Sequence, residues 1–159
     1  MGLKIRPARI EDKEKILSVI GSDQYQWDKR IAKRYYDDYF TKNSICLKGD
    51  EVYVLTSDNI VIGVTGYSLD RYETGNYWLG WFYVHEKYRK KNHGTKLLKY
   101  IIKQLKNKGV KKLFVDTSSH GVYAGALVFY IKNGFRIEAV IRDYYEEGED
   151  QIILSKGLI

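Results

Sequence analysis

One stretch of the chain, residues 77–108, constrains the possible folds more than any other. It begins with Tyr77–His85, which contains almost no polar residue and therefore predicts a central strand covered on both faces. A basic loop follows, and Thr95–Lys108 then places its leucines and isoleucines on one stripe with lysines elsewhere, as in an amphipathic helix. Gly109 ends this helix, where a left-handed residue is favoured. The stretch therefore predicts a buried strand that leads through a basic turn into a helix.

The remaining segments alternate between strand and helix patterns. We expect further strands at Leu3–Arg9, Glu51–Thr56, Ile60–Leu69, Lys112–Thr117, Phe135–Arg142 and Gln151–Lys156. We expect further helices at Ile10–Gly21, Asp23–Lys42 and Tyr123–Asn133. Asp12 is expected to cap the first of these helices, and Trp27, Ile31, Tyr35 and Tyr39 to form an aromatic face on the second. Hairpins combined with crossovers indicate an α+β domain with a mixed sheet.

The charge of the chain is concentrated in one region. The 159 residues carry a net charge of +7, but His85–Lys112 holds eleven basic residues and one acidic residue, Glu86. This segment is therefore +10, which leaves −3 for the rest of the chain. A local basic field suits an anionic ligand or partner, although a solvated lysine-rich helix face beyond residue 96 is the alternative.

Several classes of protein are disfavoured by composition. No stretch approaches the ~18 consecutive apolar residues that a membrane span needs, and the N-terminus has no apolar signal region. The single cysteine, Cys46, excludes an internal disulfide, and one cysteine among three scattered histidines gives no metal-ligand spacing. We therefore expect a cytoplasmic protein with no metal and no membrane partner.

The basic loop has the physical features of a phosphate site. It reads Tyr88-Arg89-Lys90-Lys91-Asn92-His93-Gly94-Thr95. The first amides of the following helix lack intrahelical partners, and the helix dipole adds partial positive charge there. Gly94 lets the backbone approach a ligand closely, and Asn92 tolerates the left-handed conformation that such loops use. The loop therefore predicts a phosphate or pyrophosphate site, with an ordinary surface turn as the alternative.

Three motifs in this chain resemble those of the GNAT N-acetyltransferases. Val84–Gly94 resembles the family's acetyl-CoA loop, in which an apolar strand precedes Arg or Gln, two residues, Gly, one residue, and Gly or Ala. Arg89 and Gly94 match the first and last positions, whereas Asn92 stands where the family usually has Gly. Phe129–Phe135 resembles the Phe/Leu-Tyr-x-x-x-Gly-Phe signature. Arg142–Asp150 resembles the final hairpin of many N-terminal and ribosomal-protein acetyltransferases.

The resemblance covers essentially the whole chain and implies a fold and a reaction. The implied fold is a single domain, residues 1–159, with three layers and a mixed, mostly antiparallel twisted sheet of about seven strands and about four helices. The implied reaction transfers the acetyl group of acetyl-CoA to a primary amine by direct attack. The acceptor is then a small molecule or a peptide N-terminus, and a homodimer formed through the C-terminal strands is possible.

The resemblance also implies roles for particular residues. Backbone groups of Phe82, Tyr83 and Val84 would pair with the pantetheine arm, and a backbone N–H near Phe82 or Tyr83 would stabilise the oxyanion. The pyrophosphate would be held by the residues of the basic loop, namely Arg89, Lys90, Lys91, Asn92, His93, Gly94 and Thr95. Tyr130 would be the general acid, with a packed core tyrosine as the alternative. Tyr123 occupies a cofactor-contacting position where many relatives have Asn.

The proton acceptor is the least defined part of this site. Many relatives place a Glu on the fourth strand, but here that position holds Trp78. The remaining candidates are Glu73, Asp116 and His120, and we favour a water relay to Asp116 or Glu73. A plain surface role is the alternative for each of them.

Two other functions remain open from the sequence. One is an acetyl-CoA-binding sensor without catalysis, which the missing carboxylate favours. The other is a nucleic-acid-binding module that uses the lysine-rich helix 95–108. The slightly acidic remainder of the chain makes a nucleic-acid partner the less favoured of the two.

Overall fold

The computed structural model describes residues 2–23, 26–41 and 49–159, so Tyr25 and Cys46 lie outside the described residues. The strands are β1 (Leu3–Pro7), β2 (Glu51–Ser57), β3 (Ile60–Leu69), β4 (Tyr77–Val84), β5 (Lys112–Ser118), β6 (Arg136–Glu146) and β7 (Glu149–Gly157). The α-helices are α1 (Lys13–Ile20), α2 (Trp27–Thr41), α3 (His93–Asn107) and α4 (Ala124–Lys132). None of the described helices is long and apolar enough to cross a membrane.

The strands form one sheet in the order β1-β2-β3-β4-β5-β7-β6. Every neighbouring pair is antiparallel except β4 and β5, which are parallel because α3 carries the chain back across the sheet. The prediction of an α+β fold with a mixed, mostly antiparallel sheet is confirmed. The sheet places β4 at its centre, between two antiparallel halves.

The helices cover both faces of the sheet and give the predicted three layers. On one face, which we call the α1/α2 face, buried residues of α1 and α2 pack on β2 and β3. On the opposite α3/α4 face, the buried stripe of α3 packs with Tyr130 and Phe135 against β4, β5 and β7. That stripe consists of Leu97, Leu98, Ile101 and Leu105. Gly109 follows α3 with a φ of +75°, the left-handed ending predicted from the sequence.

The buried face of α2 differs from the prediction. The fully buried residues are Ala32 and Tyr36, whereas Trp27 is 52% exposed. Tyr35 and Tyr39 lie at the margin, because their hydroxyls hydrogen-bond Asp50 and the amide of Val52 instead of entering the core. The spacing of four identified the helix but placed its buried face about one residue away from the observed one.

Asp12 also has a different role from the expected helix cap. Its carboxylate accepts hydrogen bonds from both terminal nitrogens of Arg6, at 2.6 and 2.9 Å, and from the amide of Arg9, at 2.8 Å. Asp12 is only 2% exposed, and the Arg6 guanidinium holds the pKa of this carboxyl below its usual range. The ion pair therefore fastens β1 to the turn that leads into α1.

We expect Asp12→Asn to lower the free energy of unfolding by about 2 kcal/mol at pH 7, since it weakens hydrogen bonds to a charged group. The folded-state pKa of Asp12 is depressed, so its contribution is present above the unfolded value of ~3.9 and is lost as the pH falls through the lower folded value. Urea unfolding at several pH values measures this. Asp38→Asn, at an exposed position of α2, is the control, and an equal loss in both variants would contradict the assignment.

Candidate active site

The centre of the candidate site is a bulge in β4. Val64 of β3 pairs with Tyr83 and Gly66 pairs with Gly80, so Trp81 and Phe82 together oppose the single residue Thr65. Trp81 has a φ of +46°, which a bulky residue adopts only when the surrounding structure imposes it. An extra residue bends the strand and leaves part of the hydrogen-bond ladder unpaired.

Just before the bulge, β4 and β5 part. The two strands pair only at Tyr77 with Leu113 and at Trp78 with Phe114, after which β5 pairs with β7 alone, as far as Ser118. Within the described residues, β4 from Leu79 onward therefore has no strand partner on this side. Backbone N–H and C=O groups need hydrogen-bond partners. The predicted pantetheine-pairing residues, Phe82–Val84, lie on this open edge and can pair with an extended ligand.

The basic loop follows at the end of the same strand. Lys90 and Asn92 have φ values of +60° and +61°, so left-handed residues alternate with ordinary ones and turn successive amides inward. Helix α3 begins at His93, two residues earlier than predicted. At Gly94 an added Cβ would lie 3.4 Å from Phe129 and 3.6 Å from Phe82, so the position is already tightly packed. The left-handed Asn92 supplies the conformation for which the family uses Gly.

The basic side chains of the loop point in different directions. The Nε of Arg89 donates to the carbonyl of Val84 at 2.9 Å, and its Nη2 lies 3.0 Å from the Asp23 carboxylate. Lys90 and Lys91 are exposed, and His93 is held through its Nδ1, 2.9 Å from the carbonyl of Tyr88. Arg89 therefore anchors the loop, while Lys90 and Lys91 stay exposed to solvent.

Tyr130 lies on the α3/α4 side of the parted strands. It is 5% exposed and packs against Phe82 of β4, Phe129 and Phe135, with ring centroids 5.5–6.2 Å apart. Burial, followed by the charge of Asp116, raises the pKa of its hydroxyl. The hydroxyl has no hydrogen-bond partner among the described residues. Every fully enclosed side-chain polar atom in that part of the chain does have a partner, so this hydroxyl is not fully enclosed. The hydroxyl therefore keeps access to open space.

Comparison with known proteins identifies the family. The chain matches the Acetyltransferase (GNAT) family over residues 16–135. It belongs to the GNAT acetyltransferase family. No curated protein matches the chain.

Solved structures share the fold of this acetyltransferase. A protein from Desulfovibrio desulfuricans described as a GNAT-family acetyltransferase matches with a TM-score of 0.89 and 24% identity, over 99% of this chain and 100% of that one. The ribosomal-protein-S18-alanine N-acetyltransferase from Escherichia coli matches with a TM-score of 0.77 and 17% identity, over 99% of this chain and 94% of that one. An aminoglycoside 6'-N-acetyltransferase complexed with coenzyme A matches with a TM-score of 0.77 and 16% identity, over 98% of this chain and 97% of that one. At these identities the likeness shows the fold alone.

On the α1/α2 face, a carboxylate that the sequence analysis did not identify joins the two sides of the site. Asp28, in the first turn of α2, accepts the hydroxyl of Tyr83 from β4 and, at 2.8 Å, the hydroxyl of Tyr123 from the turn before α4. Burial, followed by the charge of Asp28, raises the pKa of Tyr83. Tyr123, expected to contact the cofactor, is therefore turned toward α2. Tyr83 and Tyr123 lie 55 and 95 positions after Asp28 in the sequence, so no local pattern connects the three residues.

The three candidate proton acceptors lie in different places. Asp116 is exposed on β5, where its Oδ2 accepts Gln151 at 2.9 Å and lies within electrostatic reach of Tyr130. Glu73 is exposed in the turn between β3 and β4, at the opposite end of β4 from the basic loop. His120 uses its Nδ1 to accept the amide of Val122 at 3.2 Å. The structure thus brings Asp116 together with Tyr130, and it does not bring Glu73 to them.

We expect Asn92→Val to weaken acetyl-CoA binding about tenfold, because a left-handed conformation costs a side chain roughly 1–2 kcal/mol and a β-branched one suffers most. Asn92→Gly is expected to bind at least as tightly as the unmodified protein. Isothermal titration with acetyl-CoA measures both.

Asn59 offers a matched control for this prediction. It also has a left-handed φ, of +67°, but lies in the β2–β3 turn. Asn59→Val should lower stability without changing the dissociation constant. Equal affinities for Asn92→Val and Asn59→Val would contradict the role of Asn92.

Proposed function

We propose that this GNAT acetyltransferase moves the acetyl group of acetyl-CoA to a primary amine by direct attack, with the pyrophosphate held by Arg89–Thr95. The observation that carries the proposal is the open backbone edge of β4, which ends at a left-handed basic loop and the N-terminus of α3. An extended amide-bearing arm fits the first part, and a diphosphate fits the second.

The bulge supplies the electrostatic part of the mechanism. A backbone N–H near Phe82 that is not used in the ladder can donate to the oxygen that becomes negative during attack. A preorganised donor of this kind typically lowers the barrier by ~3 kcal/mol. The bulge at Trp81 is imposed by the fold before substrate arrives, so this donor needs no rearrangement.

Tyr130 is proposed as the general acid that protonates the departing thiolate. A general acid must carry its proton at working pH, and the raised pKa of this hydroxyl keeps it protonated near neutrality. Asp116 supports that state through its negative charge. The aromatic packing around the ring fixes the direction of the hydroxyl relative to β4.

The acceptor is proposed to be a cationic amine, either a small molecule or a peptide N-terminus. The carboxylates Asp28 and Asp116 lie close to the parted strands, and each has tyrosines beside it: Tyr83 and Tyr123 at Asp28, and Tyr145 at Asp116. Negative charge beside aromatic surface favours an ammonium group. The fold relatives act on acceptors as different as a ribosomal-protein alanine and an aminoglycoside, so the fold alone does not choose among amines.

Acetyl-CoA titration followed by a thiol-release screen against primary amines tests the function. We expect one-to-one binding that persists at moderate salt, together with turnover on at least one amine. Binding without turnover on any amine would favour a sensor. Salt-sensitive binding of an oligonucleotide in place of acetyl-CoA would favour the nucleic-acid module, since the lysines of α3 are solvent-exposed.

We expect Tyr130→Phe to lower kcat by roughly 10²-fold, since it removes the acid catalyst and preserves the ring. The dissociation constant of acetyl-CoA should remain unchanged, because the substitution keeps the packed ring and removes only a hydroxyl that has no hydrogen-bond partner among the described residues. Steady-state kinetics and titration measure the two quantities. A variant with full kcat would show that Tyr130 is only a packed core residue.

We also propose a homodimer formed through β6. Every residue of this edge strand is exposed, including Ile137, Val140 and Ile141. Antiparallel self-pairing centred on Ile141 would place Arg136 opposite Glu146, so opposite charges meet. We expect light scattering to show a dimer, and Val140→Lys to give a monomer. A monomeric unmodified protein would contradict the proposal.

A further inference from the structure

A half-buried carboxylate lies on the α1/α2 face and forms no ion pair within the described part of the chain. The Oδ2 of Asp50, just before β2, accepts the hydroxyl of Tyr35 at 2.8 Å. Ser68 of β3 lies close to this carboxyl, and burial raises the pKa of Asp50. Tyr39 of α2 and Glu51, the next residue in the chain, are the other titratable groups nearby. No described lysine or arginine forms an ion pair with Asp50.

A small cavity connects this carboxylate cluster with the bulge. It measures about 60 Å³ and is lined by Tyr35, Tyr36, Val52, Gly66, Tyr67, Ser68, Gly80 and Trp81. It is therefore bordered by Tyr35, which donates to Asp50, by the nearby Ser68, and by the bulge residue Trp81. A volume of this size holds one or two water molecules, and the hydroxyls supply the polar partners that such waters need.

Glycine keeps this space open across the sheet. Val52, Gly66 and Gly80 are register partners in β2, β3 and β4, so they form one row beneath Tyr35. An added Cβ at Gly80 would meet nothing within 4 Å. The empty space therefore begins beside the bulge and continues toward the hydroxyls near Asp50.

The cluster also compensates for the apolar residue at position 78. Trp78 stacks on Phe114 with ring centroids 5.2 Å apart, so its side chain braces the last paired residues of β4 and β5. The register partner of Trp78 on β3 is Ser68, which lies close to Asp50. Ser68 on the neighbouring strand β3 thus lies between position 78 and the carboxylate of Asp50.

We propose that Asp50 is the proton acceptor of the reaction and receives the proton of the acceptor ammonium group through water in this cavity. The inference rests on the proposed acetyl transfer. One N–H bond of the ammonium breaks and its proton passes to water in the cavity. That water gives a proton to the hydroxyl of Tyr35 or Ser68 as the hydroxyl's own proton passes to the carboxylate. The nitrogen lone pair then forms the C–N bond while the C–S bond breaks.

The second proton that the nitrogen loses is transferred by way of Tyr130. The departing thiolate takes the hydroxyl proton of Tyr130, and the tyrosinate recovers a proton from the nitrogen as the amide forms. Asp50 later releases its proton to solvent, so one proton is produced for each amine acetylated. Asp50 does not itself line the cavity, so its connection to the cavity water runs through the lining hydroxyls, of which that of Tyr35 donates to Asp50 at 2.8 Å.

The test compares kcat/KM for Asp50→Asn and the unmodified protein from pH 6 to pH 10, with acetyl-CoA and the best primary amine of the screen. At pH 7 we expect a fall of 10- to 100-fold. The deficit should shrink as the pH approaches the amine pKa of ~10, because solvent then supplies the neutral amine. The dissociation constant of acetyl-CoA should stay unchanged. A deficit that is the same at every pH would overturn the proposal.

Matched variants separate Asp50 from its rivals and from effects on folding. Tyr35→Phe removes one donor to Asp50 and should show a smaller deficit with the same pH dependence. Asp38→Asn, an exposed position on α2, should behave like the unmodified protein. If Asp116→Asn or Glu73→Gln shows the pH-dependent deficit and Asp50→Asn does not, Asp50 is not the acceptor. Acetyl-CoA binding without turnover in the unmodified protein would instead overturn the proposed acetyl transfer.

Discussion

The parting of β4 and β5 is the constraint on which the rest of the site depends. Two parallel strands that pair over only two residues leave a backbone edge open in the middle of the sheet, where such edges are otherwise satisfied. The antiparallel hairpins on either side hold this geometry, since β3 fixes one strand and β7 fixes the other. The opening, the bulge beside it and the loop at its end together form one continuous surface for a long ligand.

Local patterns predicted the parts of the molecule that depend on neighbours in sequence. The stripe from Leu97 to Leu105 identified α3, and the loop composition identified a left-handed Asn92, because both follow from backbone preferences. Tyr130 was found only through the family motif, since periodicity alone describes a core residue. The roles of these site residues in binding and catalysis remain predictions.

Other features could not be read from the sequence because distant segments create them. Asp28 matters only because α2 lies across Tyr83 and Tyr123, and Asp50 matters only because its strand neighbours are Ser68 and a row of small residues. The positive φ of Trp81 contradicts the preference of its side chain and is imposed by the sheet. The local sequence predicted that Asp12 caps the first helix, but its carboxylate instead binds Arg6 on β1.

The ion pair between Arg89 and Asp23 has a consequence for how the two substrates influence one another. Arg89 belongs to the loop that faces an anion, whereas Asp23 belongs to the connection between α1 and α2, on the side proposed for the acceptor. A ligand that draws the guanidinium from Asp23 releases that connection, and a ligand that orders the connection returns the guanidinium to it. The two binding equilibria are then thermodynamically coupled, with the same coupling free energy in each direction. Under the proposed function, the exposed contact between Arg89 and Asp23 would therefore link the affinities of the two substrates.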